Sequence, residues 1–303
     1  MSRGSKIIVV IGGLCLLVVF ACLTLAAAAA SLSTMMANGK VAVVRVEGPI
    51  VSASAVGWSF SSAAADERVI ADLERADSDR SIAAIVLHIN SPGGSVVASD
   101  GIYRAIKQVS KPVIAYLGET AASGGYYIAC GADVIISHPA TITGSIGVIS
   151  DVINAKQLFD KLGIEIQVIK SAEAKDMGSP TKPLTEEERA ILQALVDEAY
   201  QDFVDVVATA RGLPREEVLR VADGRVFSGR KAVELGLVDQ VGTMDDAVRV
   251  AAERAGIKGE PQVVEISAGP SLWQVLMSSA SDISALLQTG GIAGPRLEYR
   301  LAP

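Results

Sequence analysis

The sequence predicts an α/β layered fold, on three observations. Short apolar strands alternate with helix-compatible stretches. One of these strands, Ile82 to Ile89 (IAAIVLHI), is almost entirely apolar, as suits a buried parallel sheet. Finally, 50% of the 303 residues are hydrophobic types and 20% are charged, enough to bury a sizeable core in one large or two small domains.

The N-terminus comes first. Ile7 to Ala30 is a 24-residue run in which only Gly12, Gly13 and Thr24 fall outside the hydrophobic set, and no charge lies between Lys6 and Lys40. As a helix it reaches ~36 Å, enough for a bilayer core. Arg3 and Lys6 precede it, so residues 1–6 are expected in the cytoplasm, residues 7–32 as a transmembrane signal anchor, and the folded part outside the membrane. A cleaved signal peptide competes, because Ala26 to Ala30 offers A-x-A sites, although the run exceeds the ~7–15 residues of a signal h-region. Cys22 as a lipoprotein site is a third reading, with Phe20 and Ala21 a poor match before it.

In the folded part, expected as residues 33–268, Val41 to Glu47 reads as a strand and Asp66 to Ala76 as a polar helix before the Ile82 strand. The alternation continues with a helix over Val96 to Val109 and strand Pro112 to Leu117, then a helix over Gly124 to Gly131 and strand Asp133 to Ser137. Strand Gly147 to Ser150, a helix over Asn154 to Leu162 and strand Ile164 to Ile169 follow. Thr185-Glu186-Glu187-Glu188 opens a long amphipathic helix as a capping box, and Arg211-Gly212 stops it. Shorter helices are expected over Pro214 to Ala222, Gly229 to Leu235 and Asp245 to Ala255. Ser54 to Ser62 reads as a flexible loop. In the tail, 269–303, Ser271 to Leu287 reads as an amphipathic helix or a loose segment, and Gly290 to Pro295 breaks it up.

Charge and ligand counts exclude whole classes of function. Lys and Arg total 27 against 34 Asp and Glu, a net charge of -7 with no basic cluster past the N-terminus, which argues against nucleic acid. Cys15 and Cys22 lie in the apolar run and leave Cys130 alone, so the folded part has no disulfide framework and no cysteine zinc site. With His88 and His138 the only histidines, a metal centre or other cofactor is not expected.

Two strand-to-helix junctions could carry chemistry. Asn90-Ser91-Pro92-Gly93-Gly94-Ser95 lets backbone N–H groups converge into an anion-binding concavity, though it lacks the ending of a phosphate loop and a Pro-Gly-Gly turn is more often only a turn. Ala121-Ala122-Ser123-Gly124-Gly125-Tyr126-Tyr127 crowds small residues round one serine. A nucleophilic serine needs such a tight turn and a following free N–H, but an isolated Ser-Gly-Gly is more often only the N-cap of the helix it begins. His88 lies within a strand and His138 precedes Pro139, so a Ser–Lys dyad is the remaining arrangement. It requires a lysine lowered from ~10.4 towards ~7–8, with Lys156, Lys161, Lys170, Lys175 and Lys182 as candidates. Asp176 complicates Lys175, because an adjacent carboxylate favours the charged amine unless it points elsewhere.

Taken together, N-S-P-G-G at 90–94, A-S-G-G-Y-Y at 122–127, T-G-S-I-G-V at 143–148, K-S-A-E-A-K-D at 170–176 and G-R-V-F-S-G-R-K-A-V-E-L-G-L-V-D at 224–239 resemble the signal peptide peptidase A (SppA) family of membrane-bound serine proteases. The resemblance runs from about Val41 to Ala255 and implies a Clp-protease/crotonase-like fold, a repeated ββα core behind an N-terminal transmembrane helix. It implies Ser123 as nucleophile, Lys175, 52 positions later, as general base, Ser145 orienting that lysine, and the N–H groups of Gly94 and Gly124 as oxyanion hole. Clp protease has a histidine about 25 positions after its serine; that place falls here near Gly147 and Val148, so the histidine route fails. Ala172 stands where the family usually has glycine, and Met177-Gly178 also departs from its pattern.

The resemblance further implies a bacterial inner-membrane protein with a single span and an extracytoplasmic catalytic domain. Its substrates would be signal peptides and other apolar peptides, and it would assemble into a homo-oligomeric ring in which Lys175 could serve a neighbour's Ser123. An inactive membrane scaffold of the same fold, and a crotonase-like acyl-transfer enzyme, are the rival readings.

Overall fold

The computed structural model describes residue 24, residues 39–52 and 64–266, and the backbone of 298–300. The apolar run Ile7 to Ala30, apart from Thr24, the Ser54 to Ser62 loop, and the tail segments Ser271 to Leu287 and Gly290 to Pro295 lie outside the described residues. Among the described residues, no helix is long and apolar enough to cross a membrane.

The chain begins with β1 (Lys40–Glu47), β2 (Ile50–Val51), β3 (Ala64–Ala65), α1 (Asp66–Ser78), β4 (Ile82–Ser91), β5 (Gly93–Ser95) and α2 (Val96–Gln108). Then come β6 (Val113–Ala122), α3 (Gly124–Ala129), β7 (Val134–Ser137), β8 (Ile142–Gly144) and α4 (Lys156–Leu162). A 3-10 turn at Glu173–Asp176 precedes α5 (Glu186–Arg211), α6 (Arg215–Leu219), β9 (Val226–Ser228), α7 (Gly229–Glu234), β10 (Gln240–Val241), α8 (Met244–Arg254), β11 (Gln262–Ile266) and β12 (Glu298–Arg300).

The main sheet runs β10-β7-β6-β4-β1-β11, all parallel, with β8 parallel to the end of β6 and β9 antiparallel to β8. Side chains alternate across it, so each strand feeds two cores. Val43, Val86, Ile114 and Val134 lie in register on one face, under Ala247 and Ala251 of α8. Val44, Leu87, Ala115 and Ile135 form the next row on the opposite face, packed with α1, α2, α3 and α5. Burial on both faces explains why β4 and β6 read as apolar runs without alternation.

Helix ends follow the expected chemistry. Thr185 and Glu188 form the capping box of α5, and Gly212 closes it at φ 61°. Helix α1 buries Val69, Leu73 and Ala76 at helical spacing.

Two expected strands are not formed. The chain pairs with β6 earlier, at Ile142–Gly144, then turns away through positive φ at Gly144 and Ser145, so Gly147 to Ser150 carries only an isolated bridge. Ile164 to Ile169 has the composition of a strand, but no described strand pairs with it, and Ile169 is fully exposed. Strand β6 continues past Leu117 to Ala122, after a register shift opposite β4. That extension delivers the chain directly to Ser123.

Candidate active site

The site forms where β4, β6 and β8 end, the usual position for chemistry in a parallel sheet. Thr120 N–H donates to Asn90 Oδ1 at 3.0 Å, and Thr141 Oγ1 donates to the Leu117 carbonyl at 3.0 Å, which fix the irregular stretch between Leu117 and Ala121. Ser91 then lies opposite Ala121, and Ala122 opposite Gly144.

Ser123 leaves β6 at φ 55°, ψ −118°, a conformation that non-glycine residues rarely adopt. Its N–H donates to the Gly144 carbonyl and its carbonyl accepts from the Tyr127 N–H, both at 2.8 Å, so the backbone is held on both sides. The side chain is fully buried, and its Oγ has no hydrogen-bond partner. It does not cap α3. The geometry therefore differs from that of an N-cap, whose oxygen accepts an N–H of the first turn, and matches a strained strand-to-helix elbow.

Its neighbours are small because the backbones meet. A Cβ on Gly125 would lie 2.7 Å from the Ser91 carbonyl oxygen, and one on Gly94 would lie 1.9 Å from that of Ile50. Gly124 opens α3, so its N–H has no acceptor within the helix and is available to an oxyanion. Gly94 sits in β5, in a second sheet ordered β12-β5-β2-β3, with Tyr299 of β12 in antiparallel register opposite it. Helix α3 is buried throughout; Tyr126 Oη donates to the Leu237 carbonyl at 2.7 Å, and the Tyr127 ring meets Phe203 edge-on at 5.1 Å.

Ser145 is buried, at φ 50°, with its N–H donating to the Arg225 carbonyl at 2.8 Å. It borders a cavity of about 390 Å³ that Val148, Asp197, Tyr200 and Asp223 also line.

Neither histidine hydrogen-bonds to Ser123. Burial first, then the Arg45 charge, pulls His88 below its usual pKa, and its Nδ1 lies 2.9 Å from an Arg45 nitrogen. His138 Nδ1 accepts from the Ala140 N–H within its own turn. Burial pushes the Cys130 thiol up to about 12, which leaves it inert. Among the described residues there is no cluster of potential metal ligands.

The lysines separate by their partners. Lys156 pairs with Asp160, Lys170 with Glu173 and Asp176, and Lys182 with Asp176 and Glu188. Hydrogen bonds donated to their carboxylate partners, Glu173 foremost for Lys170 and Glu188 for Lys182, raise both lysines above the ordinary range, which makes both poor bases. Lys175 is exposed in the 3-10 turn, and Asp176 directs its carboxylate to Lys170 and Lys182. Within one chain no hydrogen bond joins Lys175 to Ser123, whose Oγ is unpartnered. Ser123, Ser145, Gly94 and Gly124 are thus collected at neighbouring strand ends, and Lys175 stands apart on an exposed arm. The Lys182–Glu188 pair was not singled out in the sequence, although the capping-box glutamate six residues after a lysine is its trace there.

Comparison with known proteins gives the family. Residues 105–258 match the model of peptidase family S49, and residues 55–143 match that of Clp protease. A Synechocystis relative designated a protease is 48% identical over 185 residues, which cover 60% of this chain and 66% of that protein. A relative in Enterococcus faecium, designated a signal peptide peptidase SppA, is 37% identical over 214 residues, 70% of this chain and 62% of its own. The chloroplastic serine protease SPPA of Arabidopsis thaliana is 33% identical over 256 residues, 82% of this chain and 38% of its own. The chain thus spans less than two thirds of the length of these relatives. The S49 match covers about half of the chain and contains both the elbow serine and the lysine arm, and on it this chain belongs to peptidase family S49.

Proposed function

We propose that the chain is a membrane-anchored serine endopeptidase that works with a Ser–Lys dyad. The carrying observation is Ser123: a buried hydroxyl without a partner, at positive φ, at the start of a helix whose first N–H is free. Ser123 Oγ attacks the peptide carbonyl carbon and passes its proton to the neutral Lys175 amine. The oxyanion takes hydrogen bonds from the N–H groups of Gly94 and Gly124. Lys175 then protonates the leaving amine, and water, deprotonated by the same lysine, releases the acyl group and restores Ser123. Ser145 orients the lysine.

Lys175 comes from a neighbouring copy in a homo-oligomeric ring. Its exposed arm, the exposed Ile164, Ile166, Val168 and Ile169, and a cavity beside Ser145 flanked by Asp197 and Asp223 support that reading. Substrates are apolar extended peptides, signal peptides among them, added as a strand to β5; the antiparallel β12 already on that edge supports strand addition. The apolar N-terminal run anchors the chain in a bacterial inner membrane with the catalytic domain outside.

The test is hydrolysis of an apolar fluorogenic peptide by the full chain in detergent, beside Ser123→Ala and Lys175→Ala. Wild type cleaves, and each variant loses about 10³-fold or more in kcat. Activity retained by Lys175→Ala moves the base elsewhere, and an inert but folded wild type favours a scaffold.

A further inference from the structure

Asp176 directly follows Lys175, so a free carboxylate there would hold the lysine in its charged form. It is not free. Its Oδ1 accepts from Lys182 Nζ at 2.9 Å and from Lys170 Nζ at 3.2 Å, and its side chain is only 13% exposed. Lys182 Nζ continues to Glu188 Oε1 at 2.6 Å. The other oxygen of Glu188 accepts the Thr185 N–H at 3.0 Å, and the Glu188 N–H donates to Thr185 Oγ1 at 3.1 Å. A continuous chain of bonds therefore runs from the first turn of α5 through Glu188, Lys182 and Asp176 to the turn that carries Lys175.

We propose that Lys182, held by Glu188, is a positioning residue that engages Asp176, so that Asp176 braces the lysine arm without pairing with Lys175. This rests on Lys175 being the base. The other charged group on the turn, Glu173, is paired with Lys170 at 2.7 Å, so the acid groups beside Lys175 are both matched by cations from outside it. The hydrogen bond from Lys182, ahead of that from Lys170, holds Asp176 below the usual carboxylate range, and the cluster stays ionised where a lysine base would work. Glu188 gives the device its anchor: its side chain is buried and fixed by the cap, so Lys182 is drawn to one place instead of moving freely in solvent.

The test is the pH dependence of kcat/KM for the full chain. In Lys182→Met, Asp176 keeps one cation, and the acidic limb moves up by about one pH unit, because the uncovered carboxylate favours the charged lysine. Adding Asp176→Asn to Lys182→Met returns the limb to the wild-type position or below it, and Lys182→Arg keeps it in place. Asp176→Asn alone moves it down, since one negative charge beside Lys175 is removed while Lys170 and Lys182 keep only Glu173 and Glu188 as partners; this variant serves if Lys182→Met does not fold. A limb that stays put in both Lys182→Met and Asp176→Asn, or that moves equally in Lys182→Met and the double variant, overturns the proposal. Lys175→Ala is measured alongside. If it stays active, the dyad reading falls and this proposal with it; if it is inert while the limb is unmoved, only the positioning role is lost.

Discussion

Ser123 and Ser145 leave neighbouring strands one residue beyond the same register pair, Ala122 opposite Gly144, and both do so at positive φ, 55° and 50°. Two parallel strands thus end in two matched serine elbows, tied by the bond from the Ser123 N–H to the Gly144 carbonyl. Strain in such pairs is retained for function and opposes stability.

Ser123→Gly tests that balance. Glycine adopts positive φ without penalty and removes a buried hydroxyl that has no partner. Against this stands the larger entropy of glycine in the unfolded chain. The net expectation is a stabilisation of about 1–2 kcal/mol together with complete loss of hydrolysis. The urea midpoint at unchanged m-value reads it; a variant less stable than wild type would show that the elbow is not strained.

Mixing two dead variants distinguishes a lysine supplied by a neighbour from one supplied within the chain. Ser123→Ala retains the lysine and Lys175→Ala retains the serine. If subunits of a ring exchange freely, an equal mixture regains about a quarter of wild-type activity, the fraction of sites at which an intact serine meets an intact lysine. Pairing within one chain gives none. Co-expression followed by the fluorogenic assay decides, and absence of activity from a verified mixed assembly removes the intersubunit dyad.

Much of this site was legible because its determinants are local. A strand, a glycine-rich turn and a helix start are written in consecutive residues, so Asn90 to Ser95 and Ala121 to Tyr127 could be placed at sheet ends. The second sheet was not legible, because β2, β3 and β12 have two or three residues each and exist only through partners distant in sequence. Ile164 to Ile169 shows the opposite failure, a good strand pattern without a described neighbour, since composition specifies a strand and not its partner. Asp176 was legible as a difficulty for Lys175. Its resolution was not, because Lys182 and Glu188 reach it only after the chain folds back to α5.

The strand β12 offers a direct test of strand addition. It pairs antiparallel with Gly93–Ser95, the edge assigned to substrate. Ending the chain before Glu298 vacates that edge. The expected outcome is a severalfold lower KM for an apolar peptide with kcat little changed, because competition is removed and the chemistry is untouched. A synthetic peptide of residues 296–303 added back should restore the higher KM competitively. An unchanged KM after truncation, with the peptide without effect, would place substrate on another edge.

Arg211 and Asp239 predict the acid limit of stability. Arg211 donates to both carboxylate oxygens, at 2.6 and 3.1 Å, and to the Gly236 carbonyl, while Asp239 Oδ2 also accepts the Ile135 N–H at 2.7 Å. Burial alone would push Asp239 up, but the bonds from Arg211 and Ile135 and the Arg211 charge outweigh it and hold the carboxyl below its usual range. A carboxyl depressed in the folded state contributes stability that is fully present above the unfolded value of ~3.9 and is lost as pH falls through the folded value. Asp239→Asn is therefore destabilising at pH 7 by about 1–2 kcal/mol, less than for a fully buried pair because the carboxylate is partly solvated. Thermal melts from pH 7 downward should show a constant gap between wild type and variant until about pH 4, then a narrowing gap as Asp239 protonates. A gap that stays constant to the acid transition would mean that the stabilisation comes from the neutral hydrogen bonds and not from the charge.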